Sequence, residues 1–368
     1  MKSNFIKHFI RLPTSIIGGI VYKLGGFLFT PKPRMIQFPV SDRCNAKCMM
    51  CNRWQTKSNK DIELEKIREV FSGRFFSQVE DVSLHGGEPT LRRDLAEICD
   101  IIQKACPRLK RIWISTNGFG PERIEKRITE ILAVLNFNKI DSLEINVSID
   151  GPEEIHDRIR GVKGGFKQCL ETIQCLKRAT KNHPAKIGIG TILLPINIDK
   201  IDKMEQLALD LDVPIMFQPV MFDEFFNISD KSSLVFGDAD RGKLRKLIEK
   251  KFIEGTSTTS FYWNDYLSMM NGGLRKSPCA FDRYVLSLYP TGDVLPCSQK
   301  DWIMFGNVYD QPAENIWKSG RAKAIRKRMK KEVCPTCSAY CGVEFSLQKE
   351  FFSYLVYYVK KKLSVLNS

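Results

Sequence analysis

Three cysteines, Cys44, Cys48 and Cys51, share one short loop directly after an apolar run that reads as a strand. Three thiolates this close together can hold three irons of a four-iron cluster, leaving the fourth iron without a protein ligand. An open coordination position marks a reactive metal site rather than a structural one, by the same logic as for zinc. Zinc itself is the competing reading, and the lack of a nearby histidine counts against it. A second group, Cys334, Cys337 and Cys341, lies toward the end of the chain. Twelve cysteines clustered in this way in 368 residues read as metal sites, not as a disulfide framework. Cys99, Cys106, Cys169 and Cys175 sit in or beside helical patterns and read as small core hydrophobes.

The elements that must position these thiols follow from the hydrophobic pattern. Short apolar runs at 35–40, 80–84, 110–115, 142–149, 186–193 and 214–220 alternate with helical patterns at 61–72, 92–105, 121–136, 165–180 and 198–211. Strands alternating with helices predict a parallel sheet with right-handed crossovers. In the fourth run Leu143, Ile145, Val147 and Ile149 alternate with Glu144, Asn146, Ser148 and Asp150. Alternate strand residues face opposite sides, and a packed core would not accept that polar row. An open barrel with a polar, ligand-holding lumen would, and Glu144, Asn146, Met216 and Gln218 are its candidate lining. The fold class is therefore α/β, a partial (βα)6 TIM-like barrel with parallel strands, followed by a small cysteine-rich α+β module. The domain reading is a basic apolar segment 1–34, a core 35–220, a loop-rich bridge 221–277 with a helix near 239–254, a module 278–345 and an aromatic, basic helix 346–368.

The motifs, taken in order, resemble the radical S-adenosylmethionine (SAM) superfamily. Its cluster loop matches Cys44-Asn45-Ala46-Lys47-Cys48-Met49-Met50-Cys51, with Met50 where the family often carries an aromatic residue. Its glycine-rich motif matches Gly86-Gly87-Glu88-Pro89 after the second strand, and the resemblance implies that this backbone and Glu88 hold the amino group of SAM. Glycine there suits a close approach of backbone to ligand. Ser115-Thr116-Asn117-Gly118 and Ser148-Ile149-Asp150-Gly151 end the third and fourth strands, where family members touch ribose and methionine carboxylate. Ser115, Asn117, Ser148 and Asp150 are thus expected cofactor contacts. All these positions fall at carboxyl ends of strands, the edge where parallel barrels bind ligands. Ile155-His156-Asp157-Arg158-Ile159-Arg160-Gly161 resembles a family loop, with His156 and Asp157 as loop-fixing residues.

The second cysteine set resembles the family's twitch module, a shortened SPASM module. Gly292-Asp293 between two apolar runs is a hairpin signal that would bring Cys279 and Cys297 face to face. With Cys334 and Cys337 they would complete four thiolates around one auxiliary [4Fe-4S] cluster; Cys341 could replace one of these four, and zinc is the rival occupant. The implied cofactors are a SAM-binding [4Fe-4S] cluster, the auxiliary [4Fe-4S] cluster and SAM, with a 5′-deoxyadenosyl radical abstracting hydrogen from substrate. An auxiliary electron acceptor favours net oxidation. The cysteine spacing is closest to a dehydrogenase acting on a cyclitol, so a sugar, cyclitol or lipid-linked carbohydrate is the expected substrate. A peptide- or protein-modifying enzyme is the alternative, although 34 residues before the first strand are few for a leader-binding domain. A non-catalytic, membrane-docked iron–sulfur protein is a further one.

The expected electron donor is of flavodoxin or ferredoxin type. A formal charge of +15 favours anionic partners. Phe351, Phe352, Tyr354, Leu355, Tyr357 and Tyr358 beside Lys360, Lys361 and Lys362 fit an interfacial helix on an anionic membrane surface, or equally a helix packed on the barrel. The expected location is cytoplasmic, with peripheral attachment at the inner membrane face. A basic run from Arg321 to Lys331 reads as a solvated helix, and no RNA-binding module argues for a nucleic-acid partner.

Overall fold

Six segments rich in β-branched and aliphatic residues form the parallel strands β1 (Met35–Ser41), β2 (Asp81–Gly86), β3 (Arg111–Thr116), β4 (Ser142–Ser148), β5 (Ala185–Leu193) and β6 (Ile215–Pro219). In this computed structural model they lie side by side in sequence order, with β1 and β6 unpaired to each other. The structure describes residues 30–340 except 57–60, 223, 227, 229–230, 251–259 and 278, together with Val343, Ser346, Val356 and Val359. The chain folds as two compact units, one of Lys32–Arg241 and Tyr284–Arg326, the other drawn from Gly242–Arg283 and from Lys327 onward.

In the first unit, α1 (Leu64–Val70), α2 (Leu95–Ala105), α3 (Pro121–Val134), α4 (Glu153–Arg160), α5 (Gly165–Thr180) and α6 (Ile201–Asp210) supply the crossovers. Their apolar stripes recur at helical spacing; α3, for example, buries Ile124, Ile128 and Ile131. The strands answer with Ile36, Phe38, Val82, Leu84, Ile112, Ile114, Leu143, Ile145 and Val147, all without solvent exposure. Cys99, Cys106, Cys169 and Cys175 are buried, as small core residues should be. The opposite row of β4 is half-buried at Glu144, Asn146 and Ser148. Register sets Trp113 beside Glu144, Ser115 and Gly188 beside Asn146, and Met216 beside Gly190, which is itself paired with Ser148. That row is the polar, half-buried face that the alternation leads one to expect.

Three features differ from the sequence expectation. The stretch 155–161, read as a loop, belongs mostly to α4 (Glu153–Arg160), with Glu153 and Glu154 in its first turn, Arg158 and Arg160 in its last, and Gly161 at φ +64° capping it. Those signals complement the helix dipole and its left-handed exit. The loop-rich bridge contains α8 (Ser260–Met270), after α7 (Asp238–Ile248). Helix α8 buries Tyr262, Trp263, Asp265, Tyr266 and Leu267, so it shows no narrow apolar stripe. The cysteine-rich region does not stay in one piece. Strand β7 (Val285–Leu288) joins the free edge of β1 in parallel, and β8 (Asp293–Leu295) and β9 (Gly306–Asn307) extend the sheet antiparallel. Gly292, at φ +85°, turns the β7–β8 hairpin where a Cβ would meet Tyr309 at 2.8 Å.

Helix α10 (Gly320–Glu332), after α9 (Ala313–Lys318), carries the basic run. Two of its cations serve packing. The Arg326 guanidinium stacks 4.1 Å from Trp317 and 4.4 Å from Phe305, and Lys330 pairs with Asp282 at 2.6 Å. Among the described residues no helix is long and apolar enough to cross a membrane. Residues 1–29 and most of 346–368, on which the interfacial reading rests, lie outside the described residues, as does Cys341.

Candidate active site and cluster-binding loops

The carboxyl ends of β1 to β4 converge on the loop that carries Cys44, Cys48 and Cys51. This loop is held mainly by backbone. Lys47 N–H donates to the Arg160 carbonyl and Met49 N–H to the Ile159 carbonyl, both at 2.9 Å. Helix α4 thereby satisfies its last carbonyls with the cysteine loop instead of water. A Cβ on Gly161 would lie 2.6 Å from the Lys47 carbonyl oxygen, so the contact needs glycine as well as its left-handed φ.

Gly86 and Gly87 clamp the loop from the other side. A Cβ on Gly86 would sit 2.3 Å from the Ser41 oxygen and one on Gly87 2.1 Å from the Arg43 oxygen. Gly87 and Glu88 N–H groups donate to those same two carbonyls, at 2.8 and 2.7 Å. The expected reason for these glycines was an approach to ligand. The structure adds a further one, close contact with the strand exit that launches the cysteine loop. Glu88 also ties the chain to itself. Its carboxylate is fully buried and accepts from Thr90 N–H (3.2 Å), Thr90 Oγ1 (2.6 Å), Thr116 Oγ1 (2.8 Å) and Asn117 N–H (2.7 Å). Burial pushes this carboxyl up, against the pull of those four donors. Glu88 thus ties the β2 exit to the β3 exit. Pro89 is buried at the start of the following turn.

From β3, the Asn117 side chain donates to Asn45 Oδ1 at 2.8 Å and reaches Cys44 Sγ at 3.8 Å. Ser115 is exposed one step before Thr116, and Ser148 is half-buried at the end of β4. Asp150 is buried, accepting from Ile192 N–H (2.8 Å) and pairing with Arg160 Nε (2.5 Å). Arg160 Nη1 then comes within 3.7 Å of Cys48 Sγ. Burial opposes the Arg160 charge, but Asp150 and Cys48 more than offset this and hold the guanidinium above its ordinary value. Arg160 was not singled out as a site residue. Its only sequence signal is an arginine just before the helix-capping glycine.

His156 and Asp157 do fix this region. Asp157 Oδ1 accepts from Phe166 N–H at 2.8 Å, and its Oδ2 from Gly164 N–H. His156 Nδ1 accepts from Asp150 N–H at 3.2 Å, and burial lowers its pKa to about 4. The proton of the neutral ring is therefore on Nε2, 3.6 Å from Cys169 Sγ.

The three loop thiols suit a cluster. Cys48 is buried, while Cys44 and Cys51 are half-buried and within electrostatic reach of it. Burial raises Cys44 to about 11 and Cys51 to about 12, so the free thiols are protonated and metal binding must release protons. Met50 is buried and packs the loop where an aromatic residue is frequent in the family. Among the described residues no trio of His, Cys, Asp or Glu converges as around a single ion.

In the second unit Cys279, Cys334 and Cys337 lie within electrostatic reach of one another, and burial raises Cys279 to about 11 and Cys334 to about 12. Cys297 follows β8 in the first unit.

A profile of the Radical SAM superfamily matches residues 38–208, and one of the SPASM iron–sulfur cluster-binding domain matches residues 279–342. The chain belongs to the radical SAM superfamily. It is a radical SAM enzyme whose cofactors are iron–sulfur clusters and SAM. Similar proteins include the antilisterial bacteriocin subtilosin biosynthesis protein AlbA of Bacillus subtilis, 24% identical over 85% of this chain and 67% of the relative. The AdoMet-dependent heme synthase of Methanosarcina barkeri is 25% identical over 90% and 99%. Among solved structures, Streptococcus suis SuiB bound to precursor peptide SuiA shares the fold with a TM-score of 0.59 at 17% identity, covering 88% of this chain and 75% of that one.

Proposed function

We propose that the chain is a peptide- or protein-modifying radical SAM enzyme. The observation that carries this reading is the polar row on the face of the sheet opposite the buried aliphatic one. Ser83, Ser115, Asn146, Ser148 and Gln218 present hydroxyls and amides along it, and Gly190 leaves open space where a side chain would stand. Hydroxyl and amide groups pair with both N–H and C=O of a peptide backbone. A tetrapyrrole, with its carboxylates, calls for free cations instead. Here Lys186 is paired with Glu144 and Arg111 with Asp81. Relatives such as AlbA and SuiB, named for a bacteriocin and crystallised with a precursor peptide, support the peptide reading. The expected sugar or cyclitol substrate rested on cysteine spacing, and the relatives favour the alternative over it.

In this reading Cys44, Cys48 and Cys51 hold three irons, and the strand-end backbone at Gly86–Pro89 with Ser115, Asn117, Ser148 and Asp150 faces SAM. When loaded, the cluster and SAM supply one-electron reduction and hydrogen abstraction. The chain's own work is orientation and dryness: Arg160 and Asn117 hold the cysteine loop, Glu88 holds the loops around it, and Glu144, Asn146, Met216 and Gln218 line the substrate side. A substrate that loses a hydrogen atom must shed a further electron. Cys279, Cys297, Cys334 and Cys337, or Cys341 in place of one, hold the acceptor. The reductant is a flavodoxin- or ferredoxin-type protein.

Anaerobic reconstitution with dithionite, SAM and a synthetic peptide library, beside a panel of sugars and cyclitols, tests this. The expected result is 5′-deoxyadenosine and hydrogen-depleted peptide from wild type, with both at background in the Cys44→Ala, Cys48→Ala, Cys51→Ala variant. Oxidised cyclitol with unmodified peptide would restore the sugar reading. Equal 5′-deoxyadenosine from the variant would remove these cysteines from the mechanism.

A further inference from the structure

The second unit contains a cation that the fold alone does not explain. Arg275 follows α8, and Asp265 of that helix fixes the segment by accepting from Lys276 N–H at 2.8 Å and Ser277 N–H at 2.6 Å. Arg275 N–H donates to the Pro335 carbonyl at 2.8 Å, between Cys334 and Cys337. Its Nε donates to the Ser277 carbonyl (3.1 Å), and its Nη1 reaches the carbonyls of Cys337 (3.1 Å) and Ala339 (3.2 Å) and the Cys337 Sγ (3.7 Å). Nη2 is buried and has no hydrogen-bond partner among the described residues. Cys279, Cys334 and Cys337 all feel this one guanidinium. Tyr262 closes the surroundings, donating to the Ser338 carbonyl at 2.5 Å and packing 4.9 Å from Tyr340.

We infer that Arg275 is a positioning residue that tunes the auxiliary cluster, donating to the Cys337 thiolate and raising the cluster's reduction potential. The inference rests on the reading of Cys279, Cys334 and Cys337 as its ligands. The physical argument is charge. Reduction adds one electron to a cluster that already carries thiolate charge, and a fixed cation in a dry site stabilises the more negative state. Arg160 offers the control. It approaches Cys48 at the same 3.7 Å, yet Asp150 is bonded to it and cancels most of its charge. Among the described residues no carboxylate is hydrogen-bonded to Arg275; Asp265 acts on it only through space, so its charge on the thiols is less compensated than that of Arg160. An acceptor cluster needs this bias, whereas a cluster that must deliver an electron to SAM does not.

The test uses the full chain with Cys44, Cys48 and Cys51 all replaced by alanine, so that only the auxiliary cluster is read. Arg275→Gln and Arg275→Lys are added to this parent, and iron content, electron paramagnetic resonance and midpoint potential are measured anaerobically. Arg275→Gln is expected to shift the midpoint to a more negative value with its iron retained, and Arg275→Lys to shift it less. Loss of iron in the glutamine variant with retention in the lysine variant would equally support a charge role. An unchanged midpoint in an iron-replete glutamine variant would overturn it. Loss of iron in both variants would also overturn it, showing that Arg275 only braces the 335–339 backbone. A parent without iron would instead overturn the ligand assignment and this inference with it.

Discussion

The two thiol sites of this protein are built in opposite ways. Cys44, Cys48 and Cys51 belong to one loop, and the structure's effort goes into pinning that loop through α4, Gly86 and Gly87. Cys279 and the Cys334–Cys337 turn are distant in sequence, and tertiary packing around Arg275 brings them together. Each site places a guanidinium 3.7 Å from one thiol, but among the described residues only the first bonds that guanidinium directly to a carboxylate. One site is thus rigid and locally charge-balanced, the other assembled and cationic. This difference suits an electron-delivering centre and an electron-accepting one.

The largest expected effect comes from breaking that balance. Arg160→Gln leaves Asp150 buried without its cation, which should cost about 3–5 kcal/mol. Denaturant titration would show a large fall in midpoint, and Asp150→Asn in the same chain should recover part of it. If Arg160→Gln is as stable as wild type, the two arginines do not differ in the way argued.

A second effect concerns loop rigidity. Gly87→Ala must displace the Arg43 carbonyl and should cost ~2 kcal/mol together with lower iron occupancy. Gly190→Ala meets nothing within 4 Å, so its melting temperature should match wild type while its KM for a peptide substrate rises. Iron content that stays constant in Gly87→Ala would show that the loop tolerates movement.

The smallest effect is one of pH. His156 is held neutral by burial, with a pKa near 4 against an ordinary 6.5. Between these values the unfolded chain binds the extra proton, so stability rises with pH there. It is complete above about pH 6.5 and is lost as pH falls toward 4. His156→Gln should flatten this part of the stability–pH curve, and a curve of unchanged slope would mean that other groups set it.

Much of the site was legible because its signals are local. The thiol spacing, the Gly86-Gly87 pair and the β4 alternation each depend on residues a few positions apart. Arg160 and Arg275 were not legible, since nothing near either in sequence says that its guanidinium meets a thiol. Helix α8 escaped for a related reason, because an element buried on most sides carries no amphipathic period. Glu88 shows the limit from the other direction, a motif residue whose carboxylate bonds to Thr90, Thr116 and Asn117, partners that the motif does not announce.

By itself the sequence determined the parallel α/β order, the cluster loop and the strand ends where ligands gather, because periodicity and spacing encode backbone geometry. Only the tertiary structure decided which charges face which thiols and that β7 joins β1. Those outcomes depend on side chains from distant segments competing for the same buried space.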